Sequence, residues 1–243
     1  MPKQFMIQNI HGPRAAWFGK LPGLGDFAGR RMPHAIVSDW DLWLSAGLDQ
    51  LRKNDPSNWE QQFVQAPCWF FVAPALVLGK ITCGVVAPSM DRVGRYYPIS
   101  ILALAEESDS ILALDTELVQ FFTAARSAII DAQRLALTAE AMDSRLADLT
   151  WPFVSPAGQV KNSLISELLA DLNAASRSYE QVHPVCLPSL PWRDLVTDKF
   201  SKTSVWWVSP TSTSTYRDLV CKGLFNQALF TQLFQKFQLS EKF

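Results

Sequence analysis

Between positions 68 and 104 three apolar runs, 68–73, 82–87 and 96–104, follow one another with only short proline- and glycine-containing links between them. Their Val, Ile, Phe and Trp content reads as buried strand. Parallel pairing requires a crossover of about a dozen residues or more, and these links leave no room for one. The region is therefore expected to be an antiparallel meander, with further strand character at 76–78.

Helical patterns flank it. Pro33 is placed to open a helix in which Ile36, Val37, Trp40, Trp43, Leu44, Leu48 and Leu51 recur near helical spacing. Asn54, Asp55, Pro56 and Ser57 end it, and a short helix is expected over 58–65. Leu118, Phe121, Phe122, Ala125, Ile129 and Ala132 form an apolar stripe within 116–149, which predicts two helices or one kinked helix there. A strand is expected over 15–21, and helices over 160–172 and 188–197. Ser204 to Val208 reads as a strand that returns to the first sheet, and 219–234 shows helical periodicity. The chain is expected to be one unit over 1–243, with a subdomain boundary near 155 where Pro152, Pro156 and Gly158 cluster.

A formal net charge of −1 gives no electrostatic reason to expect a nucleic-acid footprint. The 15 phenylalanines and nine tryptophans argue for a folded core rather than disorder. Cys68, Cys83, Cys186 and Cys221 form no Cys-x-x-Cys pair, which suits a reducing compartment. The first residues show no secretory leader pattern, and the longest apolar run is too short to span a bilayer. A cytoplasmic location without direct membrane insertion is expected.

Common catalytic signatures are missing. Gly23 and Gly25 lack the remaining spacing of a dinucleotide fingerprint, and Lys20 lies at the wrong end of its glycines for a P-loop. No nucleophile elbow or His-Glu-x-x-His pair occurs, and His11, His34 and His183 share no metal-ligand spacing. No cofactor and no catalytic residue is assigned.

What stands out is charge set among glycines beside apolar strands. Lys20, Asp26, Arg30 and Arg31 surround one such segment, and Ser89, Asp91, Arg92 and Arg95 another. Arginine's planar donor fork grips a carboxylate or a phosphate, so the cluster reads as a recognition site for an acidic or phosphorylated partner. Internal pairing, with an arginine locking an aspartate-bearing loop, is the competing reading. Ser89 either contacts a phosphate or satisfies a local backbone group. If the turns converge, Asp26 and Asp91 offer paired carboxylates for acid–base chemistry. Trp40 and Trp43 on the first helix, and Trp206 and Trp207 on opposite faces of a strand, are candidates for aromatic support or interface, one of each pair reaching an interface in the binding reading; core packing of each residue taken singly is the competing reading.

The chain resembles the TagF or ImpM family of proteins associated with bacterial type VI secretion. The resemblance rests on Gly19-Lys20-Leu21-Pro22 with Gly25-Asp26-Phe27, Arg30, Met32-Pro33 and the Trp40 to Trp43 region, followed by Pro88-Ser89, Asp91-Arg92, Gly94-Arg95 and Ser204-Val205-Trp206-Trp207. It implies an α/β fold in an α+β arrangement, with a central, mainly antiparallel sheet flanked by helices, longin-like being one form of it. It also implies an accessory regulator of type VI secretion, in many systems a post-translational repressor, with a forkhead-associated scaffold protein as partner and other secretion regulators beside it. The alternative is a phosphate- or small-molecule-responsive module in which Lys20, Arg30, Arg92 or Arg95 lines a pocket, a phosphate-processing enzyme being the third reading.

Overall fold

The computed structural model describes residues 14–105, 111–154, 185–212 and 214–235. Strands β1 (Ala16–Lys20), β2 (Phe27–Arg30), β3 (Trp69–Ala73), β4 (Thr82–Ala87), β5 (Ile99–Leu104), β8 (Thr203–Val208) and β9 (Arg217–Lys222) form a seven-stranded sheet in the order β2-β1-β5-β4-β3-β8-β9. Every pairing in it is antiparallel. A separate pair, β6 (Ile111–Leu112) with β7 (Phe153–Val154), is also antiparallel. The expected meander is β3-β4-β5, and β8 does return to it, with Phe71 opposite Trp206.

Side chains alternate between two cores because successive strand residues point to opposite faces. Trp17, Phe70, Val85, Ile101 and Trp207 belong to one core. That face is covered by α4 (Asp115–Leu135), α5 (Ala139–Arg145) and α6 (Trp192–Thr197). Trp69, Phe71, Val86, Leu102 and Trp206 belong to the other, beneath α1 (His34–Asn54), α2 (Trp59–Gln65) and α7 (Gln227–Phe234). Double coverage explains why β3 and β4 read as unbroken apolar runs rather than alternating ones.

Helix α1 follows Pro33 and buries Trp40, Trp43, Leu44, Leu48 and Leu51 of the expected stripe together with Gly47, Ile36 and Val37 being only half-buried, while Arg52 and Lys53 favour its carbonyl end. The 116–149 region is two helices, α4 and α5, broken after Leu135 by the left-handed Ala136 at φ 48°.

Two expectations are corrected. Residues 76–78 lie in a helical turn, α3 (Ala75–Leu78), closed by Gly79 at φ 79°, because Pro74 and Gly79 leave too short a segment for another strand. The helical periodicity over 219–234 is split: Arg217–Lys222 is a strand pairing with β8, and only Gln227–Phe234 is helix, capped by the Asn226 side chain. The boundary near 155 and the helix at 160–172 lie outside the described residues.

Helices α1 and α7 meet at Gly47, where an added Cβ would fall 2.1 Å from Cγ of Phe230. Gly47→Leu is expected to cost about 1–3 kcal/mol through overpacking. Phe230→Ala is expected to cost about 3–5 kcal/mol through the cavity it leaves. Together they should cost less than their sum, since the leucine fills that cavity. Urea unfolding of the three variants measures this, and strict additivity would count against the close approach.

Candidate functional site

Strand β1 delivers Lys20 to the end of the sheet, and β1 pairs with β5 so that Gly19 lies opposite Ile99. The turn after β1 and the turn between β4 and β5 are therefore neighbours, although about 70 residues separate them in sequence. Gly19 is at φ 142°, with Pro98 O only 2.2 Å from where a Cβ would sit, so the strand end requires glycine.

Asp91 is the centre of the arrangement. Its Oδ1 accepts from the backbone N–H of Val93 at 3.1 Å and of Arg95 at 2.9 Å. Its Oδ2 accepts from Arg95 Nε at 2.7 Å and lies 3.0 Å from Lys20 Nζ. The first pair is how an aspartate closes a tight turn on its own backbone, here completed by Gly94 at φ 83°. Of the second pair, Lys20 ties that turn to β1, while Arg95 lies within the turn itself. Ser89 Oγ donates to Lys20 O at 2.8 Å, Arg92 N donates to Leu24 O at 2.7 Å, and Arg95 Nη2 donates to Gly25 O. Two distant turns are thus fastened by side-chain and backbone bonds into one ridge.

The Asp91 side chain has no exposed surface and that of Lys20 is 7% exposed. Burial works to raise the Asp91 pKa, but the Arg95 backbone N–H, then Lys20 and the Arg95 guanidinium, outweigh it and hold the carboxyl well below the ordinary carboxylate range. A carboxylate so held neither takes up nor gives a proton near neutral pH.

Internal pairing therefore accounts for Lys20, Asp91 and Ser89. Asp26 is exposed and its Oδ1 accepts from the Phe27 N–H at 2.8 Å, a local bond that brings no second carboxylate to Asp91's donors. Arg30 stands at the far end of β2 and meets exposed Glu140 at 3.6 Å, outside the ridge. In the alternative reading Lys20, Arg30, Arg92 or Arg95 lines a pocket; Lys20 and Arg95 instead turn onto Asp91. The exposed side chain of Arg92 has no hydrogen-bond or ion-pair partner among the described residues. Its chain neighbour Val93 is 65% exposed, and Phe27, 46% exposed, holds its ring 5.1 Å from Lys20 Nζ and against Phe18 and Tyr97.

Of the two readings of the tryptophan pairs, core packing holds for all four residues, and the interface role for one member of each pair is corrected. Trp40, Trp43, Trp206 and Trp207 are all buried. Each indole N–H has a fixed acceptor: Ser100 Oγ for Trp40, Asn226 O for Trp43, Ser204 Oγ for Trp206 and Cys186 O for Trp207. A sheet covered on both faces buries the strand tryptophans whichever way they point, and a buried indole needs such an acceptor.

Several polar residues carried no local signal. Asp143 accepts both ends of the Arg31 guanidinium, at 2.8 and 2.9 Å, and the Trp17 indole N–H at 2.9 Å. Arg31's hydrogen bonds, opposed by partial burial and assisted by Trp17, lower the Asp143 pKa. Arg126 sits within the apolar stripe of α4, 5% exposed, with its guanidinium 6.0 Å from the Phe70 ring. It helps wall a cleft of about 1030 Å³ together with Phe70, Ile129, Ser209 and Phe234. The nearby Cys68 thiol is pushed up to about 12 by burial, against the opposing charge of Arg126, so the thiolate is disfavoured. Among the described residues no group of His, Cys, Asp and Glu is placed to hold a metal, and no helix is long and apolar enough to cross a membrane.

Residues 16–149 match the family described as the TagF N-terminal domain, type VI secretion system-associated. That span holds both charged turns and the strands that position them. No curated protein matches the chain. Among solved structures, the crystal structure of PA0076 from Pseudomonas aeruginosa PAO1 is similar in fold, with a TM-score of 0.65 and 24% identity over 94% of this chain and 98% of that one.

Asp91→Asn would leave Lys20 buried without its counter-charge and is expected to cost about 3–5 kcal/mol. Lys20→Met in the same chain should recover part of the loss. Because the folded pKa of Asp91 is depressed, its stabilisation is complete above the ordinary value of about 3.9 and is lost as pH falls through the folded value. Denaturation at a series of pH values should show the gap between wild type and Asp91→Asn constant near neutrality and narrowing below about pH 4. A gap that widens in acid would reverse the assignment.

Proposed function

Since the chain belongs to the TagF family of type VI secretion-associated proteins, we propose that it is an accessory regulator that restrains assembly of the secretion apparatus after translation, by binding a forkhead-associated scaffold protein. The observation that supports this reading is the convergence of the two charged turns into one ridge. Lys20, Asp91 and Arg95 fix its shape, while Arg92, Val93 and Phe27 face outward. An exposed arginine flanked by apolar side chains is the composition of a protein-binding hot spot, and a ridge whose loops are already cross-linked loses little entropy on docking.

No turnover is needed for such an action. Binding at the ridge would compete with the scaffold's productive contacts, with Arg92 setting orientation against an acidic surface and Val93 and Phe27 adding buried apolar area.

Titration calorimetry of the full chain with the forkhead-associated scaffold of the same secretion system tests the proposal. Arg92→Glu is expected to weaken binding by about tenfold or more. Its thermal midpoint should match that of the wild type, because the Arg92 side chain holds nothing else in place among the described residues. Saturable binding indifferent to Arg92→Glu and to Val93→Asp would remove the ridge from the interface, and absence of binding would remove the scaffold as partner.

A further inference from the structure

The sheet has two outer strands. At one, β2 spans only Phe27–Arg30 and is tied to α5 by the ion pairs of Arg30 with Glu140 and Arg31 with Asp143. At the other, β9 runs for six residues and has no strand on its outer side among the described residues. Its register with β8 is continuous from Thr203 opposite Lys222 to Val208 opposite Arg217, without a bulge, and β9 contains no proline. Natural outer strands are ordinarily blunted by bulges, prolines, short length or inward charges. Here the only such feature is charge, and its pattern invites pairing.

Exposure alternates along the strand. Leu219 and Cys221 pack toward the face carrying α1 and α7, whereas Asp218, Val220 and Lys222 stand exposed on the opposite face. An axis perpendicular to the sheet that brings a second copy alongside makes the two β9 strands antiparallel and keeps their faces aligned. Each residue on the axis then meets itself. Placing the axis at Val220 sets Val220 against Val220, Asp218 against Lys222 of the second copy, and Lys222 against its Asp218. Moving the axis to Leu219 sets Asp218 against Val220, and moving it to Cys221 sets Lys222 against Val220, so both shifts forfeit the charge pairs. Directly opposed residues on one face of an antiparallel pair interact, favourably for opposite charges and unfavourably for like ones.

We infer that two copies of this chain associate through β9, pairing antiparallel about Val220 with reciprocal Asp218–Lys222 contacts, to make one continuous sheet. Such a contact is self-complementary, so it closes at two copies rather than extending into a fibre. It leaves the ridge of Arg92 and Val93, which lies at the end of β1, β4 and β5, outside the β9 pairing.

Sedimentation velocity of the full chain over a range of concentrations tests this, with far-UV circular dichroism confirming that each variant is folded. The wild type is expected to show a reversible dimer. Asp218→Lys places lysines opposite one another twice, and Lys222→Asp does the same with aspartates, so each variant alone should dissociate at least about tenfold more readily. Mixing the two variants should restore the dimer, because every lysine then faces an aspartate. Should Asp218→Lys fail to fold, Lys222→Asp carries the same test, with the charge-exchanged double variant expected to recover the dimer that Lys222→Asp loses. A monomeric wild type, a dimer insensitive to either reversal, or a mixture that stays dissociated would each overturn the inference.

Discussion

A carboxylate with no exposed surface must be neutralised where it stands, and the structure around Asp91 follows from that requirement. The desolvation cost of the charge is offset only by donors on several sides, and here they come from its own turn and from the end of β1. Closing the local turn places Gly94 at a left-handed φ of 83°, and the link to β1 is made by Lys20, whose ammonium lies 3.0 Å from Oδ2. Arg95 completes the arrangement from the solvent side, its side chain 56% exposed, and extends to the carbonyl of Gly25. The residues that look most like a reactive site are for this reason mostly internal fasteners, and the surface they shape is what remains available for recognition.

The same economy governs the aromatic interior. A sheet packed on both faces offers no water to its indole N–H groups, and each of the four tryptophans named above is matched to an acceptor on another element or its own strand. Trp43 reaches the residue that caps α7, and Trp40 reaches β5, so these side chains set the seat of α1 on the sheet as well as filling space. Stacking of Phe71 on Trp206 at 4.4 Å between ring centroids joins β3 to the returning β8. The C-terminal strands are therefore built into the sheet that carries the charged turns, although the family match ends at residue 149.

The action proposed above, by occupancy, would need a rigid, specific surface rather than reactive groups. The fastened ridge would supply rigidity through the bonds around Asp91, and the exposed Arg92, Val93 and Phe27 would supply the chemistry of contact. At the opposite edge of the sheet, β9 offers a second kind of surface, one of backbone groups and reciprocal charges. The two lie on different parts of the sheet, so variants at one can test the proposed partner binding without touching the inferred self-association.

Local pattern determined much of this. The meander was legible because its links were too short for any crossover, and α1 and α4 because their apolar stripes repeat at helical spacing whatever packs against them. The polar character of the two turns was legible too, since glycine and charge beside apolar strands have few other uses. Tertiary structure decided which charges were consumed: Asp91 meets Lys20 across about 70 residues and Asp143 meets Arg31 across 112, separations at which sequence spacing carries no distance information. It also decided that Leu219 lies in a strand rather than a helix, because pairing with β8 outweighed an apolar periodicity compatible with either. The burial of all four tryptophans was settled by the second helical layer, which no single strand or helix encodes alone.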